Sequence, residues 1–437
     1  MGADYSASYK RYALTVLFLL YTLNFLDRQI VNIVAEPIKK DMGLSDWQLG
    51  SLTGLAFALF YATLALPIAR LAERKNRVKI VAFSAIVWSG FTALCGLGQS
   101  FLHLFLARVG VGVGEAGCTP ASHSLITDYF SREKRASAMA TFSLGIPAGS
   151  LVGMAIGGLI ADSFGWRAAF IVVGIPGLLL GLIALVTLRE PRTHNPVASH
   201  TDSLPGVWQA LKDLKGNRTY VWLTAAMAAM AFVTYGHFAF LSSFFLRNHA
   251  DNITELSHAI EATTGIALGP MGFLGVSLGI IFGLFGALGT WLGGVLSDRG
   301  AARDMRAYAL IPAFSALILP LSLVATYLAP GAGSALLMLC VPMLLQSIYY
   351  GPLFASVQSL VEPNSRATAA AILLFFANLI GLGLGPLTVG TLSDVIAVSA
   401  GPADGIRWAL IITGFIYLAA ALAFFKASRT IRDAIVS

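Results

Sequence analysis

Twelve apolar stretches of about twenty residues, almost free of charge, constrain this chain more than any other feature, because a helix of that length crosses a hydrocarbon layer about 30 Å thick. They fall near residues 12–35, 47–71, 78–98, 101–127, 136–162 and 167–188, and again near 219–246, 270–297, 306–327, 333–361, 367–393 and 404–427. Inside lipid no water is present to satisfy backbone N–H and C=O groups, so these stretches are expected to be helices. The composition agrees: 57% of residues are hydrophobic and 12% charged, against about 25% charged in a soluble domain. The first stretch is too long for a signal peptide and lacks a small-residue cleavage site, so it reads as a retained helix. A soluble enzyme is excluded. The expected fold is an all-α membrane protein of twelve transmembrane helices, called spans 1 to 12 below.

A polar segment interrupts the pattern after span 6. It contains Pro191, Pro196, Pro205, His194 and His200, and it divides the chain into a first half, 1–188, a linker, 189–218, and a second half, 219–437. The formal charge is +7, with 29 Lys and Arg, and their placement argues for a membrane surface rather than nucleic acid. The termini, alternate loops and linker hold 22 of them, while the opposite loops hold five: Lys39, Lys40, Arg167, Arg247 and Arg407. By the positive-inside rule both termini and the linker are expected in the cytoplasm, and a bacterial chain is expected in the inner membrane.

The halves repeat each other. Glu73-Arg74 after span 2 matches Asp298-Arg299 after span 8, and Arg135-Ala-Ser-Ala opening span 5 matches Arg366-Ala-Thr-Ala opening span 11. Gly158 to Asp162 matches Gly390 to Asp394, and Arg167 matches Arg407. Ordered matches at a nearly constant offset indicate a parallel duplication, hence two pseudo-symmetric six-helix bundles. Cys95, Cys118 and Cys340 lie in apolar runs without paired spacing, so neither disulfides nor a metal cluster is expected. Gly112-x-Gly114-x-x-Gly117 fits the dinucleotide fingerprint but lies in mid-helix with no strand before it, so no nucleotide site and no cofactor follow.

The charged residues placed well inside spans are Asp27, Arg28, Arg108 and Glu115, all in the first half. A charge near the bilayer centre costs several kcal/mol, so such groups are functional candidates by default. On span 1, Asp27 and Arg28 lie roughly 20 Å from its start. Arg108 lies near the same depth on span 4, with Glu115 about 10 Å deeper. Arg108, Gly112 and Glu115 follow an i, i+4, i+7 spacing on one helix face. Tyr21, Asn24, Arg28 and Asn32 form a polar stripe on span 1. Two readings stand: Asp27 and Glu115 exchange protons as a neighbouring Arg moves, or the four make a fixed ion-pair network.

Twelve spans, duplicated halves and charged loops after spans 2 and 8 resemble the major facilitator superfamily of secondary transporters. Its loop signature Gly-x-x-x-Asp-Arg-x-Gly-Arg is degraded here, with Ala69, Glu73 and Asn76 substituted and Arg74 and Arg77 retained, while the second copy keeps Gly294, Asp298 and Arg299. Asn24-Phe25-Leu26-Asp27-Arg28 together with Arg108-Val-Gly-Val-Gly-Val-Gly-Glu115 is similar to the spinster branch, whose animal members carry sphingosine-1-phosphate or lysophospholipids. The resemblance implies that Asp27 and Glu115 are protonation sites, that Arg28 couples protonation to gating, and that Arg108 relays protons or holds substrate. It also implies that Glu73, Arg74, Asp298 and Arg299 latch the cytoplasmic side, that spans 5 and 8 meet across the halves, and that the protein is a monomer.

The expected activity is proton-coupled transport of an amphipathic lipid by rocking of two halves; the alternative is a small organic anion bound directly by Arg28 and Arg108. A non-transporting receptor would not need buried acids near bases, and no zinc-spaced His/Glu set or nucleophile–base pair suggests an enzyme. Protons, substrate and membrane lipids are thus the expected partners. The uncharged second half offers a wall for a lipid tail through Phe232, Tyr235, His237, Phe240, Tyr349, Tyr350 and Phe354, although aromatic residues in such helices also serve packing. Glycines recur at four-residue spacing in span 5 (Gly145, Gly149, Gly153, Gly157) and crowd span 8. These stripes are expected to form the seam between halves or ordinary tight packing. Gly381-x-x-x-Gly385-Pro386 in span 11 resembles the antiporters' span-5 element, whereas span 5 itself has Gly145-Ile146-Pro147 out of the usual order, a departure that leaves symport and antiport open.

Overall fold

The structure, a computed structural model, describes residues 5–193, 214–362 and 365–434, apart from the side chains of Leu66, Glu73, Arg132, Glu133, Ala136, Thr193, Ala367 and Asp433. Much of the expected linker therefore lies outside the described residues. Ten helical segments are long and apolar enough to cross a membrane. Two of them, Ser137–Thr187 and Thr368–Arg432, contain 51 and 65 residues, which would extend about 75 and 95 Å if straight. Each breaks instead at a glycine in the left-handed region, Gly165 (φ 81°) and Gly401 (φ 83°). No atom stands within 4 Å of a Cβ at either position, so the backbone angle and not space demands glycine there. These breaks separate span 5 from 6 and span 11 from 12, giving twelve spans among the described residues.

Span 1 occupies Ala7–Ile33, span 3 Arg77–Cys95, span 7 Arg218–Asn248 and span 9 Ala307–Tyr327. Local chemistry sets several of their starts. Ser6, Asn76, Ser100 and Asn217 each accept a hydrogen bond from the backbone N–H three residues on, which satisfies a donor the helix leaves free. Two further helices, Ala35–Met42 and Ala250–Thr264, lie in segments expected to be loops. They are too short or too charged to register in a hydropathy window tuned to spans.

The chain divides into two compact units. Unit 1 comprises Met1–Leu44, Ser51–Ser199 and Ser257–Gly279, and unit 2 comprises Ser45–Gly50, His200–Leu256 and Ile280–Ser437. In unit 1 the span 5–6 segment packs on spans 1 and 3, while spans 2 and 3 both pack on span 4. In unit 2 span 7 packs on spans 11 and 12.

The glycine stripe of span 5 takes the second of its two expected uses, tight packing within a bundle. Cβ atoms at Gly149 and Gly153 would run into the backbone of Thr22 and Leu26, and one at Gly157 into Ile30 and Ile33. The stripe is thus the seat of span 1 inside the bundle and not the contact with span 8. That contact uses the neighbouring face: Gly158 lies on the Met271 carbonyl, Gly275 on that of Met154, and Gly279 on Leu151. The repeat appears again in unit 2, where Gly381 and Gly385 of span 11 lie on Ala231 and Phe232 of span 7. Small residues let backbones approach where lipid supplies no hydrophobic drive.

Candidate functional site: a buried polar cluster in the first unit

All four charged residues singled out inside spans meet in unit 1. Arg28 Nε donates to Glu115 Oε2 at 2.7 Å, with the Glu115 side chain fully buried. Helical rise places Arg28 at the depth of Arg108, about 10 Å above Glu115; the long Arg28 side chain covers that distance. Three rings surround its guanidinium, Tyr61, Phe57 and Phe25, at 4.6, 4.8 and 5.0 Å from the ring centroids. This aromatic collar suits a weakly hydrated cation.

Arg108 lies near the same ring, 5.4 Å from the Phe57 centroid. Its Nε reaches the Leu52 carbonyl at a long 3.5 Å. Leu52 belongs to a π-helical turn, Ser51–Leu55, a widening of the helix that is common at functional positions. Gly112 sits against the Phe57 backbone, which draws spans 2 and 4 together and brings both arginines to the same ring. Asp27 receives Thr92 Oγ1 at 3.1 Å from span 3.

The cluster is buried without being fully satisfied. Asp27 Oδ1, Glu115 Oε1, Arg108 Nη1 and both amide atoms of Asn24 are buried with no protein hydrogen bond of ordinary geometry. Orphaned buried polar atoms cost about 1–3 kcal/mol each, and native proteins hold few. Their concentration around two acids and two bases marks a place where protonation or a bound group changes the balance.

The polar residues of unit 2 behave differently. His237 Nε2 meets Thr413 Oγ1 at 3.2 Å, and Nδ1 meets the Tyr327 hydroxyl at 2.9 Å. Because Thr413 donates its own hydrogen to the Ala409 carbonyl, Nε2 donates to Thr413. The ring is engaged on both sides. Thr234, Tyr417 and Gln346 form a second closed set at 3.1–3.3 Å. Tyr349 is buried and stacks on Tyr350 at 4.3 Å. Tyr235 and Tyr350 are half-buried.

Of the expected latch, the Glu73 side chain lies outside the described residues, Arg74 and Arg299 are exposed, and Asp298 accepts the Tyr308 hydroxyl at 2.8 Å. A stronger set at the same end escaped the sequence reading. Arg77, fully buried, binds Glu190 through Nη2 and Nε, Asp128 at 2.6 Å and Ser124, while Arg192 reaches the Ala72 carbonyl. The one sign of it was Arg77 itself, retained in the degraded loop signature. At the opposite end of the spans two carboxylates cap helix starts. Asp162 accepts from the N–H groups of Met271 and Gly272, and Asp394 from those of Asp46 and Trp47. The repeat had matched Asp162 with Asp394 without revealing this use. Asp46 in turn pairs with Arg247 at 2.8 Å and accepts from Ser393.

Duplicated six-helix units with a charged cluster buried in one define a secondary-transporter architecture. The chain matches the Major Facilitator Superfamily over residues 17–386, and it belongs to that family. An MFS-type efflux pump of Mycolicibacterium smegmatis is 32% identical over 97% of this chain and 94% of that protein. Protein spinster homolog 3 of Danio rerio is 30% identical over 87% of this chain and 76% of its own. The crystal structure of a bacterial homolog to the human lysosomal transporter Spinster, inward-facing and unoccupied, is 32% identical, aligns with 99% of this chain and 100% of its own, and has a TM-score of 0.86. The spinster resemblance read from spans 1 and 4 is thus shown.

Proposed function

We propose that this transporter couples proton movement to the transport of an amphipathic lipid with an anionic head, and that Glu115 and Arg28 are the coupling pair. The observation that carries the reading is the divided state of Glu115: one oxygen holds Arg28, and the other, equally buried, makes no hydrogen bond of ordinary geometry and has the Asn24 amide as its polar neighbour. A carboxylate in that position stays charged because of Arg28, and Arg28 stays buried because of the carboxylate. A proton on Glu115 removes the anion and releases the guanidinium, which is then available to a phosphate or carboxylate head group. Arrival of that head group reverses the preference. Asp27, which accepts from Thr92, supplies a second proton-accepting group on span 1, the helix that carries Arg28.

The lipid part rests on the spinster membership and on the apolar collar of Phe25, Phe57 and Tyr61 around Arg28, which suits a head group entering with its chain. Both termini lie in the cytoplasm in this reading, as the bias of 22 basic residues against five supports. One observation favours a small organic anion instead: Arg108 Nη1 is a buried guanidinium N–H with no protein partner, the kind of donor that binds a carboxylate directly.

The test is movement of a labelled lysolipid into or out of proteoliposomes under an imposed pH gradient, with Glu115→Gln, Asp27→Asn and Arg108→Gln beside the native protein. Gradient-driven lipid movement that is lost in Glu115→Gln supports the reading. Lipid movement unchanged by that substitution removes the coupling role, and transport of a small dicarboxylate with none of the lysolipid replaces the substrate.

A further inference from the structure

A groove of about 510 Å³ opens on the flank of unit 1, outside the buried cluster. Its origin is a packing mismatch. Spans 2 and 3 each pack on span 4, yet the two barely touch each other although only a short turn at Lys75 and Asn76 joins them. The space between them is floored by Val113 and Gly114 of span 4. A Cβ at Gly114 would strike the Trp88 backbone, so glycine there seats span 3 directly on span 4 at the floor of the groove.

The groove is polar at one end and apolar along its length. At the terminus-side end stand Lys75, Asn76 and Lys79, with both lysines exposed. From there the walls run through Leu71 and Ile68 on span 2 and through Phe83 and Val87 on span 3. Leu71, Phe83 and Val87 are 46%, 55% and 37% exposed, so the walls are uncovered apolar surface. Lys79 to Val87 covers about 12 Å of helix, which carries the groove from the head-group level well into the hydrocarbon. The polar end also lies at the start of span 3, where Asn76 caps the helix.

We propose that this groove holds one anionic glycerophospholipid of the bilayer leaflet on the terminus side, with its phosphate between Lys75 and Lys79 and one acyl chain along spans 2 and 3 over Gly114. The lysine pair selects the charge, the uncovered walls take the chain, and the lipid fills the gap that the two helices leave. It acts as a wedge that keeps spans 2 and 3 apart. The site is separate from the Glu115 cluster and independent of what the protein carries.

Native mass spectrometry of the full chain, released from micelles supplemented with equal phosphatidylglycerol and phosphatidylcholine, tests it. The native protein is expected to retain one phosphatidylglycerol in preference to phosphatidylcholine by about thirtyfold, at roughly fivefold per lysine. Lys75→Gln with Lys79→Gln should abolish the preference, and Val87→Trp should reduce retention of both lipids, each with thermal unfolding unchanged in phosphatidylcholine. Equal retention of the two lipids by the native protein overturns the proposal, as does a preference that survives the double lysine substitution. Competitive displacement of the phosphatidylglycerol by a transported lysolipid would reassign the groove to the substrate and also overturn it.

Discussion

The ion cluster at the terminus-side end of unit 1 gives the most quantitative expectation. Glu190→Gln keeps shape and one acceptor but removes the charge that faces Arg77, whose side chain is fully buried and that of Glu190 5% exposed. Breaking a buried pair costs about 3–5 kcal/mol. The lower end applies because Asp128 remains 2.6 Å from the same guanidinium. About 3 kcal/mol in a unit of this size lowers Tm by roughly 6–12 °C. Asp128→Asn is the internal comparison: its carboxylate is 34% exposed, screened by solvent, and about 1 kcal/mol or less is expected. Replacing the pair together, Arg77→Met with Glu190→Leu, should recover most of the loss, since no charge is left buried alone. The pH dependence has a definite sign. Burial works against the Glu190 carboxylate, but hydrogen bonds and charge from Arg77 outweigh it and hold the group below the ordinary glutamate range. Its stabilisation is therefore complete above about pH 4.3, the unfolded value, and is lost as pH falls through the folded one. Thermal unfolding in detergent, followed by intrinsic tryptophan fluorescence at pH 7 and pH 4, measures all of this. A Glu190→Gln shift no larger than that of Asp128→Asn would refute the reasoning.

Three further outcomes are expected. Gly149→Leu places a side chain against the Thr22 carbonyl and should abolish recovery of monodisperse protein on size-exclusion chromatography, whereas Gly294→Ala, which meets nothing within 4 Å, should be recovered normally. His237→Leu should lower Tm by the equivalent of about 1–3 kcal/mol, because the buried Tyr327 hydroxyl loses its hydrogen-bond partner, while the transport KM stays at the native value; a raised KM with unchanged Tm would make His237 a ligand contact. Asp46→Asn leaves Arg247 facing a neutral amide, and maleimide labelling of a cysteine placed at Trp47, in the substituted protein and in its native-Asp46 counterpart, should be faster with the substitution. Equal rates would show that the Asp46–Arg247 pair does not restrain the start of span 2.

Periodicity, charge bias and duplication specified the spans, their number and the kinship of the halves, because a lipid-spanning segment must be a helix and its length is set by the bilayer. The four charges buried inside spans were equally legible, since a charge that survives inside an apolar span has few explanations. Their pairing was not. Helical rise put Arg28 level with Arg108, yet a side chain as long as arginine crosses several ångströms, and only the packing of span 4 on span 2 through Gly112 and Phe57 fixes which carboxylate it meets. The span 5 glycines show the same limit: spacing promised a close helix partner but could not choose between span 1 and span 8. Residues at span ends were the least visible. Arg77, Glu190, Asp46 and Arg247 sit among many loop charges, and nothing in the order of residues separates a solvated charge from one buried across 113 or 201 positions of chain. The sequence alone determined which segments enter the membrane and which charges had to be used there; the tertiary structure decided the partners, because burial and contact are properties of helices brought together and not of any one helix.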